Sequence, residues 1–271
     1  MQVPVQVIGL CRFSYPAEGG FQVEHANLND RIAYLYAPAR IEERFRHFEA
    51  ITLPGLRAQT DPDFTFVILI GDAMPRPYLD RLRDLIADFP QARLHAAAPG
   101  SHRKVCQQAI NAARDMSRPS LQFRHDDDDA VAVTFVERFR AAATDCATLT
   151  ARHRMMGFDF NRGFIARPDA AGICAEPAQT PYWGVALGMA VQPGVRLSIM
   201  NFSHAKLSLA MPTITFEHEP MYVRGHNDHN DSRQKKHIRP IDLPRLDSAG
   251  EAEFRALFAI DADHVRRIFS N

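Results

Sequence analysis

The sequence has no excess of either charge: 32 Lys and Arg offset 32 Asp and Glu over 271 residues. No net field therefore draws the chain to nucleic acid or to an acidic membrane face. Long hydrophobic runs are missing as well. The longest, such as FVILI at 66–70, are strand-length, and a spanning helix needs about 20 apolar residues. No transmembrane segment is expected, although peripheral membrane contact stays open. Cysteines are few and scattered (Cys11, Cys106, Cys146, Cys174), with no CxxC pair. That argues against a disulfide framework or zinc knuckle and for reduced thiols in the cytoplasm. The start, MQVPVQVIGLC, lacks a basic head before a long apolar stretch, so no signal peptide is expected. Internal repeats and low-complexity linkers are also absent.

What is present is an alternation of strand-like and helix-like segments. VPVQVIGL at 3–10 reads as a strand ending near Arg12. Ile41, Phe45, Phe48 and Thr52 stand at helical spacing across 41–53. FTFVILI at 64–70 is a continuous apolar strand of the kind buried on both faces of a parallel sheet, and it runs into Gly71-Asp72. Tyr78, Leu82, Leu85, Ile86 and Phe89 form a helical stripe. ARLHAAA at 92–98 is a weaker strand. A helix capped by Ser101 follows, with Val105, Ala109, Ala112 and Met116 inward. LQFRH at 121–125 is the next strand, and four aspartates follow it. Alternating strands and helices over 130 residues predict an α/β chain with a doubly wound, mostly parallel sheet flanked by helices. Such sheets bind ligands beyond the carboxyl ends of their strands, where Arg12, Asp72 and Asp126–Asp129 fall.

The second half is less regular. MMGFDF (155–160) and GFIAR (163–167) read as two strands around a hairpin-like turn at Asn161-Arg162. GVALGMAVQPG (184–194) fits strand or helix. MPTITFEHEPMYVRG (211–225) reads as strand material before the polar stretch HNDHNDSRQKKH, and one last helix is predicted over 250–269.

Four adjacent carboxylates repel one another unless a positive charge is supplied. If strand geometry continued, Asp126 and Asp128 would share one side, Asp127 and Asp129 the other. Oxygen ligands so placed suit magnesium or manganese, which would in turn hold phosphate oxygens. The competing reading is a solvated acidic loop beginning the helix around Phe135–Ala143, favoured by the helix dipole.

RKVCQQAINAARDMSRPSLQFRHDDDDAV resembles the layout of nucleotide-sugar glycosyltransferases with the GT-A fold. In that layout a helix with Lys or Arg and a later Asn precedes a strand ending in Asp-x-Asp. More narrowly, the chain resembles the bacterial putative rhamnosyltransferase family. The matching features are Arg12-Phe13, the RHDDDDA block and the late set Tyr222, Arg224, His226, Asn230 and Ser232. The resemblance implies one GT-A-like domain over 1–271, with a nucleotide-sugar half at 1–130 and an acceptor half with a C-terminal metal and lid segment at 131–271. It implies transfer of a sugar, rhamnose by the family's label, from a nucleotide-diphosphate donor to a glycan or other hydroxyl acceptor. Asp126 would lie near the ribose or metal and Asp128 would bind Mn²⁺ or Mg²⁺ directly, with Asp127 the alternative register. Arg12, Asp72, Lys104 and Asn111 would surround the nucleotide. His226, then His229, would complete the metal site.

Transfer also needs cations on the leaving diphosphate and a base for the acceptor hydroxyl. Arg224 and Lys104 are candidates for the first, Asp159, Glu217 and Glu219 for the second. Trp183, the only tryptophan, could stack on a sugar or sit in the core. The stretch 226–237 lacks apolar anchors and could close over a donor. Two other readings keep the same residues: a metal-dependent phosphoesterase-like hydrolase, and a nucleotide-sugar-binding protein without turnover.

Overall fold

A computed structural model describes residues 5–19, 25–227 and 242–270 of the protein. In chain order its first half holds β1 (Gln6–Arg12), α1 (Leu28–Leu35), α2 (Pro38–His47), α3 (Leu53–Arg57), β2 (Thr65–Gly71), α4 (Arg76–Leu85), β3 (Ala92–Ala97), α5 (His102–Ala113) and β4 (Ser120–Asp126). The second half holds β5 (Ala130–Val131), α6 (Phe135–Asp145), α7 (Ala147–Arg152), β6 (Met155–Phe160), β7 (Arg162–Asp169), β8 (Gly172–Gln179) and β9 (Leu187–Val191). It closes with α8 (Leu207–Ala210), β10 (Thr213–Phe216), β11 (Tyr222–Gly225), α9 (Ser248–Phe258) and α10 (Ala262–Phe269).

Strand alternation builds two cores on one sheet. On β1 and β2, Val7, Cys11, Phe66, Ile68 and Ile70 face one side with Phe45, Phe48 and Phe135. Ile8, Leu10, Val67 and Leu69 face the other with Cys106, Ala109 and Ile110 of α5. Helices on both faces are why β2 needs no polar residue from Phe66 to Ile70. The sheet has seven strands in the order β10-β6-β9-β4-β1-β2-β3. All neighbours are parallel except β9, which is antiparallel to both β4 and β6. This is the mostly parallel, helix-flanked layout expected from the GT-A resemblance. Gly9 allows it locally: a Cβ there would lie 2.2 Å from the Phe123 ring of the neighbouring strand.

A four-stranded sheet, β5-β11-β7-β8, packs beside the large one. The chain passes from the large sheet to the small one between β4 and β5, between β6 and β7, and between β10 and β11. The hairpin expected at Asn161-Arg162 is therefore such a crossing. The hairpin pair is β7 with β8, which bond antiparallel from Arg162↔Gln179 to Asp169↔Gly172. Residues 184–194 resolve as strand β9, every residue of which is buried.

Three helices differ from expectation. The predicted final helix breaks after Phe258, where Ala259 turns left-handed at φ 55°. In α5 the inward residues are Cys106, Ala109 and Ile110, Ala112 is exposed, and the Ser101 side chain makes no capping bond. The helix predicted at 41–53 is longer, running through α2, a π-turn at Phe48–Thr52 and α3. Pro54, which cannot donate an N–H, stands one residue beyond the widened turn, after Leu53. α2 buries Arg40, Arg44 and His47 alongside Ile41 and Phe45.

Candidate functional site

β1 and β4 run parallel, and their last paired residues are Arg12 and Asp126. Arg12 donates to Asp126 at 3.2 Å, and about a third of the Asp126 side chain (32%) remains open. Alternation puts Arg12, Arg124 and Asp126 on the face that carries Ile8 and Leu10, over the start of α5. There they line a cavity of about 540 Å³ with His102, Arg103, Trp183, His204 and Arg224. Ligand pockets commonly fall in this size range.

The cavity wall is cationic. Four arginines face it against Asp126 and Glu18. Burial alone would raise the Asp126 pKa, but Arg12, Arg124 and Arg224 more than offset it and hold the carboxyl below its usual range. Arg124, like the more exposed Arg103 and unlike Arg12 and Arg224, has a side chain with no hydrogen bond or ion pair among the described residues. Burial disfavours its charge, and Arg12 and Arg224 add repulsion against the attraction of Asp126 and Asp129. Arg224 packs over the Trp183 ring at 5.4 Å, so one face of the tryptophan is covered by a cation.

The other three aspartates do not continue the strand. Asp129 N–H bonds the Asp126 carbonyl at 3.3 Å, which turns the chain toward the small sheet and buries Asp127, Asp128 and Asp129. Their positive charge comes from α2. Arg44 donates to Asp127 and lies 3.3 Å from Asp128, with all three side chains nearly sealed. Asn227 donates to Asp128 at 2.7 Å. Asp129 accepts from Gly225 N–H at 3.0 Å, and Arg224 lies 3.7 Å away. Burial pushes Asp127 and Asp129 upward. At Asp128 burial pushes the same way, but Arg44 and His47 bring the carboxyl below its usual range. Asp127 and Asp128 share one guanidinium.

These placements decide whether the residues fit a divalent cation. Asp128, expected as the direct ligand, is bound to Arg44 and Asn227, and of the four aspartates only Asp126 reaches the cavity. His226 lines a separate cavity of about 200 Å³ with His47, Arg167 and Asn227. His229 lies outside the described residues, as do 228–237 of the segment expected to close over a donor. Among the described residues no cluster of three or more His, Cys, Asp or Glu could hold a metal. Of the expected metal ligands, the described residues bring only Asp126 to the arginine cavity.

Other expected residues also fall elsewhere. Asp72 and Lys104 are exposed and off the cavity wall. Asn111 donates to the Arg196 carbonyl at 2.8 Å and so ties down a loop. Glu217 accepts from Gln179 at 2.9 Å, and Glu219 pairs with Arg138 at 2.7 Å beside another cavity. Asp159 is buried under the site, accepting the Tyr182 N–H with both oxygens at 3.1 Å. None of these three expected bases lines the arginine cavity.

Sequence reasoning missed Arg124, His102, Arg103, His204 and the inward role of Arg44. Arg124 stands two residues before Asp126 on a strand, so period-two reading would have put both on one face. Arg40, Arg44 and His47 recur at i, i+4 and i+7, a signal for a basic stripe on the buried side of α2. Nothing in the local sequence marks His204.

The profile of the family described as "Putative rhamnosyl transferase" matches residues 6–239. The chain belongs to that family. The match runs from β1 to beyond Arg224 and so includes every element of the arginine cavity. Among curated proteins the rhamnosyl transferase family member found no match. Among solved structures it is similar to S. aureus TarS 1-349, at 9% identity and a TM-score of 0.42, covering 82% of this chain and 60% of that one. The same TarS fragment in complex with UDP gives a TM-score of 0.44, again at 9% identity, covering 82% and 61%. The chain thus spans about three fifths of those TarS chains. Likeness at this distance carries no functional argument.

Proposed function

We propose that this rhamnosyl transferase family member moves a sugar, rhamnose in the finer reading, from a nucleotide-diphosphate donor to a glycan or other hydroxyl acceptor. The observation that carries the reading is the arginine cavity at the carboxyl ends of β1 and β4, where Arg124 makes no hydrogen bond or ion pair among the described residues. Arg124 is half-buried on the cavity wall, and a diphosphate would supply a counter-charge through bidentate, charge-assisted bonds. Arg12, Arg103, Arg124 and Arg224 would hold the diphosphate and take up the charge that develops as it leaves. Asp126, ionised and a third open, is an acceptor for a ribose or sugar hydroxyl. No step is routed through a metal. The expectation of Mn²⁺ or Mg²⁺ becomes one arm of the test.

Thermal shift with UDP, dTDP and GDP, each in EDTA and in Mn²⁺, tests the donor class. A nucleotide at a hundredfold excess over its Kd stabilises by about 2.7 kcal/mol. Arg124→Met should abolish that shift while leaving the free protein about as stable as before, since the half-buried guanidinium makes no hydrogen bond or ion pair among the described residues. No shift with any nucleotide in either condition, together with no transfer from nucleotide sugars, refutes the reading.

A further inference from the structure

The expected carboxylate bases lie off the cavity, and two histidines, His102 and His204, lie on it. We propose that His204 is the general base that takes the proton from the acceptor hydroxyl, a role that rests on the glycosyl-transfer reading above.

The argument begins with the tautomer. The Tyr182 carbonyl can only accept, and His204 Nδ1 lies 2.6 Å from it. Neutral His204 therefore carries its proton on Nδ1 and its lone pair on Nε2. Tyr182 is itself fixed, at φ 56°, by the two 3.1 Å bonds from its N–H to the Asp159 carboxylate. The imidazole is thus held through a backbone step by a buried acid.

Position follows from Gly184. A Cβ there would lie 3.4 Å from the His204 ring and 3.7 Å from Arg124 Nε, so the imidazole and the unmatched guanidinium flank one point of the wall. The φ of Gly184, +98°, also favours glycine. Arg124 is the cation assigned to the leaving diphosphate, and the anomeric carbon of a donor is bonded to that diphosphate. An acceptor oxygen attacking this carbon would arrive beside His204.

Burial keeps the imidazole below its usual pKa, with Arg124 and Arg224 adding to the fall against the Tyr182 carbonyl and Asp126. It is therefore neutral at neutral pH. In the step itself, the acceptor O–H proton passes to Nε2 as the oxygen bonds the anomeric carbon. The bond from that carbon to the diphosphate oxygen breaks, and its electron pair leaves on the diphosphate among the arginines. The imidazolium then gives its proton to solvent.

His204→Asn tests the role, because its amide N–H can still reach the Tyr182 carbonyl while Nε2 is gone. Removal of a general base costs about 10²–10⁴-fold in turnover. The expected result is a loss of that size in kcat, with nucleotide affinity within about threefold of wild type and with the acid limb of the pH–rate profile gone. Transfer by His204→Asn within about fivefold of wild type overturns the proposal. So does lost nucleotide binding, which would make His204 a structural or donor-holding residue. A wild-type protein that binds no nucleotide and transfers nothing overturns the glycosyl-transfer reading and takes this role with it.

Discussion

Asp159 offers a quantitative test of how the site is held. Its carboxyl is almost fully buried on β6, accepts the Tyr182 N–H with both oxygens and takes a long bond of 3.4 Å from Thr215. Burial raises its pKa from 3.8 to about 6, and the Tyr182 and Thr215 bonds only partly oppose the rise. A carboxyl raised on folding binds its proton more tightly in the native state. Its stabilising contribution is fully present below 3.8 and is lost as pH rises through about 6. The whole displacement is worth about 3 kcal/mol, and roughly half of it falls between about pH 5 and about pH 8.

Asp159→Asn removes the titration while keeping one oxygen for Tyr182. Relative to wild type, the variant should gain about 1.5 kcal/mol between pH 5 and pH 8, read by urea unfolding at the two pH values. Transfer activity should fall at both, because Tyr182 positions Trp183 and His204. A stability difference between the two proteins that does not change with pH would refute the reasoning. It would mean that the carboxyl titrates normally and that burial does not govern it.

The remaining predictions concern the aspartates. Arg44→Ala strands Asp127 and Asp128 without their cation; it should cost about 3–5 kcal/mol in chemical denaturation at neutral pH, partly recovered in mild acid. Asp128→Asn turns an amide toward Arg44 or Asn227, both donors, and should destabilise by about 1–3 kcal/mol. Asp126→Asn should leave unfolding almost unchanged and weaken donor binding in the same thermal-shift screen; a variant that binds nucleotide like wild type would remove Asp126 from the site.

By itself the sequence determined the sheet. Val7 to Leu10 and Phe66 to Ile70 are apolar at every position but Gly9 and therefore had to be covered on both faces. That fixed a layered α/β chain and placed Arg12 and Asp126 at strand ends. It also carried the family, since motif order survives without contacts. Tertiary structure alone decided what the charges meet. The four aspartates read as a metal site because their repulsion is local, whereas the cation that answers it, Arg44, is 83 residues from Asp127. Two crossings between sheets, at Asn161 and before β11, carried Asp159 beneath the cavity and Glu219 away from it. His204 acquired its tautomer from a carbonyl 22 residues away. Period and propensity act over a few residues, while burial, counter-charge and proton placement depend on which distant strands the fold sets side by side.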